Sequence, residues 1–343
     1  MPSLVIQTSF LGDMVLTTPL LAHLARRGPV DVLATPAAGA LLAQNPSVRA
    51  VLPYDKRRRD RGIAGFARLA SRLRRKNYDI AYLAQGSLRS AALAVSAGIP
   101  HRVGFDTSAG RALYTRRVPY DDTVHHAARL LALGVQTSES PLTPDQLRPR
   151  LYPSITEVSA VDALLAEAKH ERGTPLIALA PGSVWATKRW PYYAELARSL
   201  TARGVRVVVI GSKEDHDLAK EIAAAVRAGR GAPAIDATGR LSLLASAELI
   251  GRAQAIVTND SAPQHLASAM GTPTVTLFGP TVPEFGFGPL AAHHAALGVD
   301  TLGVARLDCR PCDRHGPQRC PLGHWRCMKD MTAPLVAKVL ETL

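Results

Sequence analysis

Short apolar runs alternate along this chain with longer amphipathic segments, and they do so in both halves of the sequence. The runs are rich in Val, Ile, Leu and Ala, which is typical of strands buried on both faces of a parallel sheet. The amphipathic segments between them fit helices that cover such sheets, so the sequence predicts an α/β protein. The predicted strands are Leu4–Gln7, Val30–Ala34, Ala50–Pro53, Ile80–Ala84, Arg102–Phe105, Leu176–Ala180, Val205–Ile210, Ala234–Asp236, Ala255–Thr258 and Thr274–Phe278.

Chain length and a break in this pattern predict two domains. The chain has 343 residues, about twice the rough guide of ~150 residues per domain. The segment Thr137–Ser154 is rich in Pro, Ser and Thr and reads as a linker. We therefore expect domains at 1–150 and 151–343, the second with a Cys-rich segment at 309–327 and a C-terminal helix. Two doubly wound Rossmann-like domains facing each other would leave a cleft at the carboxyl ends of both sheets, where ligands bind.

Composition and charge restrict the class of partner. Hydrophobic residues make up 47% of the chain and charged residues 20%, a globular balance. There is neither an apolar run long enough to span a membrane nor a signal-peptide pattern, so we expect a cytoplasmic protein. The formal charge of +13 favours a polyanionic partner, although nucleic acid is not expected, since only 5% of residues are aromatic. Much of the excess charge lies in Lys56, Arg57, Arg58, Arg59, Arg61, Arg68, Arg72, Arg74, Arg75 and Lys76. This cluster is either a solvated face or a contact to a phosphate-rich acceptor or membrane lipid.

The first segment with candidate chemistry, SFLGDMVLTTP, follows the first predicted strand and opens a helix. Gly12 permits a tight turn, and Asp13 then stands at or near the helix amino terminus, at the mouth of the expected cleft. Its carboxylate could act as a general base on an acceptor hydroxyl. Asp is also a favoured helix cap, so the spacing leaves both roles open.

The second segment, LAPGSVWATKRWP, follows the predicted strand Leu176–Ala180. Pro191 suits the first turn of the next helix, which leaves Ser183, Thr187 and Lys188 in the loop that leads into it. Backbone N–H groups at a helix start, together with a lysine ammonium, can bind a diphosphate. The same residues could also form an ordinary surface loop.

The third segment, IGSKEDHD, follows the predicted strand Val205–Ile210. A carboxylate at a strand end can bind ribose hydroxyls, as it does in dinucleotide sites, and Glu214 and Asp215 are the two candidates. Acidic residues are also favourable in the first turn of a helix on their own account. The sequence does not decide which of the two contacts a ribose.

The fourth segment, AIVTNDSAPQHLASAMGTPTVTLFGPT, contains two strands and the helix between them. The helix should start near Ala262 and end at Gly271, a typical C-terminal cap. Two consecutive strand ends then present polar side chains to one small region, namely those of Asp260, Ser261, His265 and Thr281. His265 is equally well explained as a buried histidine with its hydrogen bonds satisfied.

Taken in this order, the four segments resemble glycosyltransferase family 9, the ADP-heptose:lipopolysaccharide heptosyltransferases. The stretch KNYDIAYLAQGSLRSAALAVSAGIPHRVGF also resembles that family, so the resemblance covers nearly the whole chain. It implies a GT-B fold, an amino-terminal acceptor domain and a carboxyl-terminal ADP-heptose domain. It further implies inverting transfer of heptose, without a catalytic metal or cofactor, onto the inner core of lipopolysaccharide. The acceptor would be an anionic lipid A and Kdo structure at the inner face of the cytoplasmic membrane, where the protein would be peripheral.

The resemblance also assigns residue roles. Asp13 matches the family's general base, and Lys188 matches the lysine that neutralises the departing diphosphate. One of Glu214 and Asp215 matches the carboxylate that holds the donor ribose. The other matching or neighbouring positions of the donor loops are Ser183, Thr187, Asp260, Ser261, Ala262, His265 and Thr281. The family often has Gly at the position of Ala262, and the added methyl group would keep a phosphate farther from the backbone there.

All four cysteines lie in one segment, as Cys309, Cys312, Cys320 and Cys327. Four thiols so close together in a chain expected to be cytoplasmic suggest a structural zinc ion more than disulfides. The second pair is more widely spaced than in a typical zinc ribbon. Free or redox-sensitive thiols and an iron–sulfur cluster are the alternatives.

Two other functional classes stay open. A GT-B transferase or epimerase that uses a uridine sugar would share the architecture, because a fold does not decide function. A non-catalytic nucleotide- or nucleic-acid-binding protein would explain the charge but would leave Asp13 and the ordered strand-end motifs without a role. A dinucleotide oxidoreductase is disfavoured, since no G-x-G-x-x-G follows the first strand.

Overall fold

The computed structural model describes residues 1–56, 58–135 and 143–343. These residues form two compact units, Met1–Tyr152 and Pro153–Leu343, so the division lies close to the expected boundary near residue 150. The first part of the predicted linker, up to residue 142, lies outside the described residues, and so does Arg57 of the basic cluster. Among the helices of these ranges, none has the combination of length and apolar character that crossing a bilayer requires.

The first unit contains, within its described residues, one parallel sheet of six strands. The strands are β1 (Ser3–Gln7), β2 (Val30–Ala34), β3 (Ala50–Pro53), β4 (Ile80–Leu83), β5 (His101–Phe105) and β6 (Arg116–Val118). The helices are α1 (Leu11–Ala25), α2 (Pro36–Ala40), α3 (Gly62–Arg74), α4 (Leu88–Ser96), α5 (His126–Ala132) and α6 (Pro144–Leu147). The strand order is β3-β2-β1-β4-β5-β6. The winding direction reverses between β1 and β4, so the loops after these two strands flank the crevice where such sheets bind ligands.

The second unit repeats this topology over the residues that the structure covers. Its strands are β7 (Leu176–Ala180), β8 (Arg206–Val209), β9 (Ile235–Asp236), β10 (Ala255–Asn259), β11 (Thr274–Leu277) and β12 (His294–Leu297). Its helices are α7 (Ile155–Glu167), α8 (Tyr193–Thr201), α9 (His216–Ala228), α10 (Leu243–Arg252), α11 (Ala262–Met270), α12 (Arg326–Lys329) and α13 (Ala333–Leu340). The order β12-β11-β10-β7-β8-β9 puts the reversal between β7 and β10. The loops after these two strands are therefore the expected ligand loops of this unit.

The central strands are buried at every position, which explains why Val, Ile, Leu and Ala predominate in them. Asp31 in β2 is an ionisable residue in a buried strand, and its carboxylate is fully buried. It accepts two hydrogen bonds from Arg49, at 2.8 and 2.9 Å, and one from the hydroxyl of Tyr78 at 2.6 Å. Burial acts to raise the pKa of Asp31, but these hydrogen bonds outweigh it and leave the pKa below its usual value.

All ten predicted strands form, with ends shifted by no more than one residue. The sequence missed β6 and β12, both edge strands of only three and four residues. The predicted turn at Gly12 is wrong, because α1 already begins at Leu11 and Gly12 lies in its first turn. The predicted cap of α11 is confirmed, since Gly271 has the left-handed conformation, with φ of 77°.

Candidate active site

Lys188 and Asp260 form an ion pair between the two ligand loops of the second unit. Lys188 lies in a short 3-10 turn, Ala186–Lys188, after β7, and Asp260 directly follows β10. Nζ of Lys188 lies 2.5 Å from Oδ2 of Asp260, and the two side chains are only 7% and 12% exposed. The ammonium also lies 5.3 Å from the centre of the Trp185 ring, within cation–π range. The geometry thus holds one cation at the carboxyl end of the sheet.

Asp260 gathers hydrogen-bond donors from three different elements. Besides Lys188, the hydroxyl of Thr281 donates to its Oδ2 at 2.7 Å, and Nε2 of Gln264 donates to its Oδ1 at 2.9 Å. Thr281 lies after β11, and Gln264 lies in α11. The structure therefore brings Lys188, Asp260 and Thr281 together, and it adds Gln264, which the sequence did not single out.

The amino terminus of α11 directly follows Asp260 in the sequence. Ser261 is its N-cap residue and makes no side-chain cap hydrogen bond, while Ala262 is its first residue. The free N–H groups at the start of a helix carry partial positive charge and bind anions such as phosphate. His265 lies one turn into the helix and is 5% exposed.

Two hydroxyls of the loop after β7 have different environments. The Oγ atom of Ser183 is buried and has no hydrogen-bond partner among the described residues. The hydroxyl of Thr187, which is 5% exposed, donates to the carbonyl of Pro317 in the Cys-rich segment. Of the two predicted ligand hydroxyls, Ser183 therefore keeps its capacity for a ligand, whereas that of Thr187 is used within the protein.

Glu214 and Asp215, the two candidates for a ribose contact, have different surroundings after β8. Oδ2 of Asp215 accepts hydrogen bonds from the backbone N–H and the hydroxyl of Ser212, at 2.8 and 2.9 Å, which completes a capping box. Asp215 also packs against Gly182 of the loop after β7, where an added Cβ would lie 2.3 Å from its Oδ1. Glu214 is exposed to solvent. The structure therefore gives Asp215 a local structural role and leaves Glu214 accessible.

Asp13 of the first unit lies in the first turn of α1, and its contacts are with side chains. The hydroxyl oxygen of Ser9 lies 2.6 Å from Oδ2 of Asp13 and also 2.6 Å from Oε1 of Gln7. Its single proton can serve only one of these acceptors at a time. Nε2 of His126 lies 3.7 Å from Oδ1 of Asp13. The N-cap residue Phe10 makes no side-chain cap hydrogen bond.

His126, which opens α5, supplies a buried imidazole next to this carboxylate. Its side chain is 12% exposed and that of Asp13 is 18% exposed. Burial lowers the pKa of His126, and the nearby charge of Asp13 only partly offsets that effect. The imidazole is therefore neutral at pH 7. Sequence reasoning missed His126, since a histidine at a helix start has no distinctive pattern.

Two basic side chains lie at the same edge of the first sheet. Nζ of Lys56 donates to the hydroxyl of Thr8, directly after β1, at 2.6 Å. Nε of Arg89 donates to the hydroxyl of Tyr54 at 2.5 Å. Burial lowers the pKa of Lys56, and the charge of Arg89 lowers it further. An anion bound next to this pair would relieve the repulsion between them.

The four cysteines for which the sequence predicted a structural zinc lie together in the segment at 309–327. In the parts of the chain that the structure covers, no group of three or more His, Cys, Asp or Glu side chains could hold a metal ion. Cys309, Cys312, Cys320 and Cys327 are all free thiols. Cys327 is buried in the core of the second unit, and burial, with the other thiols, raises its pKa to about 12. The structural zinc stays a prediction, and the segment that contains the cysteines packs on the loop of Lys188.

Each unit thus has a doubly wound sheet with reactive groups at its reversal point: a carboxylate in the first, and a lysine with a helix amino terminus in the second. Two such units in one chain fit the class of two-domain transferases.

Comparison with known proteins agrees with this class. The family model described as "Glycosyltransferase family 9 (heptosyltransferase)" matches residues 66–310. The chain is 33% identical over 306 residues to lipopolysaccharide heptosyltransferase 2 of Salmonella typhimurium, covering 87% of each chain. It is 29% identical to the solved E. coli ADP-heptose LPS heptosyltransferase II, with a TM-score of 0.80 over 100% of this chain and 98% of that one. A family 9 glycosyl transferase from Veillonella parvula shares the fold, with 23% identity and a TM-score of 0.85 over 99% and 96% of the two chains.

The chain belongs to glycosyltransferase family 9, and it is a transferase. The predicted α/β fold class, with two Rossmann-like sheets of the GT-B type, is confirmed.

Proposed function

We propose that this enzyme transfers heptose from ADP-L-glycero-D-manno-heptose to the Kdo or heptose residues of the lipopolysaccharide inner core, with inversion at the anomeric carbon. The observation that carries the proposal is the buried ammonium of Lys188, held by Asp260 beside the start of α11. A cation and free helix N–H groups at one strand end are suited to a diphosphate. The similarity to a heptosyltransferase 2 over 87% of the chain supports heptose as the group transferred.

The donor would bind to the second unit. Its β-phosphate would meet the ammonium of Lys188 and the N–H groups of Ser261 and Ala262. The unpartnered hydroxyl of Ser183 adds a further donor at the same strand end, and Glu214 would bind the ribose hydroxyls, since Asp215 is used in the capping box. When ADP leaves, charge develops on the β-phosphate. Lys188 would stabilise that charge where it forms, without a metal ion in the catalytic step.

Asp13 would be the general base of the first unit. As the acceptor oxygen bonds to the anomeric carbon, the carbon–oxygen bond to the β-phosphate breaks, and the hydroxyl proton passes to the Asp13 carboxylate. A single displacement of this kind inverts the anomeric configuration. The hydrogen bond from Ser9 and the neutral His126 would orient the carboxylate before reaction. Positioned general bases contribute roughly 10²- to 10⁴-fold.

An anionic acceptor explains the charge distribution of the first unit. Lys56 and Arg89 lie beside the loop that leads to Asp13 and would bind a carboxylate or phosphate of the acceptor. An exposed basic surface formed by Arg58, Arg59, Arg61, Arg68, Arg74, Arg75 and Lys76 would face anionic lipid. Ile63 at the start of α3 is 89% exposed within this surface. Each such cation contributes about 1 kcal/mol near an anionic membrane, so we propose a peripheral position on the inner face of the cytoplasmic membrane.

The test of the transfer reaction uses the purified enzyme with ADP-heptose and a panel of Kdo-lipid A acceptors that carry no, one or two heptoses. Mass spectrometry of the products should show a gain of one heptose on one acceptor of the panel. ADP should bind more tightly than UDP in a calorimetric titration. Tighter binding of UDP, or transfer only from a uridine sugar, would contradict the proposed donor.

The test of the membrane surface is sedimentation with lipid vesicles. The enzyme should bind phosphatidylglycerol vesicles and not phosphatidylcholine vesicles, and the double variant Arg61→Ser, Arg75→Ser should bind less. The control is Arg172→Ser, Arg319→Ser, which removes two exposed arginines of the second unit. Equal loss in both double variants would show that net charge matters and this surface does not.

A further inference from the structure

Gln318 of the Cys-rich segment holds the turn that carries Lys188 at two points. Its Oε1 accepts a hydrogen bond from the backbone N–H of Ala186 at 3.2 Å. Its Nε2 donates to the carbonyl of Val184 at 3.1 Å. One side chain, 132 residues away from Ala186 in sequence, therefore takes over hydrogen bonds that a short turn cannot make within itself.

Trp325 holds the same turn from its other end. Its indole Nε1 donates to the carbonyl of Thr187 at 2.8 Å. The hydroxyl of Thr187 donates in turn to the carbonyl of Pro317. The carbonyl and the hydroxyl of the residue before Lys188 are thus both bound by the Cys-rich segment.

The segment also supports the side chain of Lys188. The ring of His315 stacks on the ring of Trp185, with centroids 5.2 Å apart and planes inclined by 7°. The Trp185 ring also contacts the Lys188 ammonium. Gly316, with φ of 80°, passes so close that an added Cβ would lie 3.4 Å from Cε of Lys188. The backbone of the segment therefore lies against the lysine stem.

A second anchor connects the segment to the loop after β11, which carries Thr281. The guanidinium of Arg310 donates to three backbone carbonyls at this loop. They belong to Phe278, Gly279 and Thr281, at 3.1, 2.7 and 3.2 Å. The N–H of Cys312 donates to the carbonyl of Pro280 at 2.8 Å. The segment is thereby fixed to one loop of the site while it holds the other.

We propose that Gln318 and Trp325 are positioning residues for Lys188. They fix the backbone from which the lysine reaches the donor, while Asp260 fixes its ammonium. This inference rests on the proposed function, since it requires Lys188 to contact the donor diphosphate. A lysine has four rotatable side-chain bonds, so a mobile turn would let its ammonium move away from the leaving group. A displacement of about 1 Å at a reacting centre can cost on the order of 100-fold in rate.

The test compares Gln318→Ala and Trp325→Phe with the wild-type enzyme. Phe keeps most of the packing of Trp325 and removes the Nε1 donor. Each variant should bind ADP roughly 3- to 10-fold more weakly, the range expected for the loss of one or two net hydrogen bonds. In the heptose transfer assay kcat should fall by at least as much. Arg319→Ala, an exposed neighbour, is the matched control and should behave as wild type.

A double-mutant cycle separates positioning from general support of the loop. In a Lys188→Ala background, Gln318→Ala should have no further effect on ADP affinity, because the group that it positions is gone. An equal loss with and without Lys188 would overturn the inference, and so would wild-type ADP binding and turnover in both single variants. If Lys188→Ala alone leaves ADP affinity unchanged, the donor role of Lys188 in the proposed function is wrong. This result can be told apart from a failure of the positioning inference, because it is seen in the single Lys188 variant. Melting temperatures within about 2 °C of wild type would exclude unfolding as the cause.

Discussion

Asp260→Asn tests the ion pair on which the donor site depends. Asn has nearly the shape of Asp, so the substitution removes the charge without opening a cavity. The hydroxyl of Thr281 and the amide of Gln264 can rearrange around an amide side chain. Lys188 cannot, because its ammonium is only 7% exposed and its Nζ lies 2.5 Å from the carboxylate that is lost.

The expected magnitude follows from this burial. Removing one partner of a buried ion pair typically costs about 3–5 kcal/mol, because the other charge is left without compensation. Asp260 retains 12% exposure and Lys188 7%, so some water reaches both groups. We therefore expect a loss of about 3 kcal/mol in the free energy of unfolding. Lys188→Met, which keeps the stem, should cost about 1–3 kcal/mol, since Asp260 keeps its donors in Thr281 and Gln264.

The assay is urea unfolding followed by tryptophan fluorescence. All three tryptophans, Trp185, Trp190 and Trp325, belong to the second unit. The fluorescence signal therefore reports on the unit that contains the ion pair. A change in midpoint with an unchanged m-value would identify a change in stability.

The double variant Lys188→Met, Asp260→Asn decides whether the pair is energetically coupled. It should be at least about 1.5 kcal/mol more stable than the sum of the two single losses predicts, because no unpaired charge is left. Strict additivity would refute the reasoning, since it would mean that neither charge depends on the other for its compensation.

Three further predictions concern the remaining site residues. Asp13→Asn should lower kcat by roughly 10²- to 10⁴-fold while ADP affinity is preserved, since the base is removed and the donor unit is not changed. Glu214→Ala should weaken ADP binding without loss of stability, whereas Asp215→Ala should lower the free energy of unfolding by about 1 kcal/mol through loss of the capping box. For His126, burial holds the folded-state pKa below the unfolded value of 6.5. The unfolded chain therefore takes up more protons, and stability should fall as the pH drops through 6.5; His126→Gln should make this fall shallower.

Each of these predictions has an outcome that contradicts it. Near-normal turnover of Asp13→Asn would remove Asp13 from the mechanism. Weaker ADP binding in Asp215→Ala than in Glu214→Ala would reverse the roles assigned to the two carboxylates. Identical pH dependence of unfolding, measured in urea for wild type and His126→Gln, would show that the imidazole does not titrate differently in the two states.

The sequence was enough to find most residues of the candidate site, but not to find the hydrogen bonds between them. Lys188, Asp260 and Thr281 could be found because each follows a recognisable strand, and strand ends of a parallel sheet lie along one edge. Their hydrogen bonds could not be found in this way. The contacts of Lys188 with Asp260, and of Thr187 with Pro317, join residues 72 and 130 positions apart. Such pairs depend on strand order and on the path of the Cys-rich segment, neither of which has a local pattern.

The sequence by itself determined the ten main strands, the two-part organisation and the segments that carry chemistry, because hydrophobic periodicity and turn residues act over a few positions. Tertiary structure alone decided which side chains are open to a ligand. It set Asp215 in a capping box, put His126 beside Asp13, and placed the segment that contains the cysteines against the turn of Lys188. The physical reason is that a side chain's partners, burial and charge state are fixed by whatever the folded chain brings next to it.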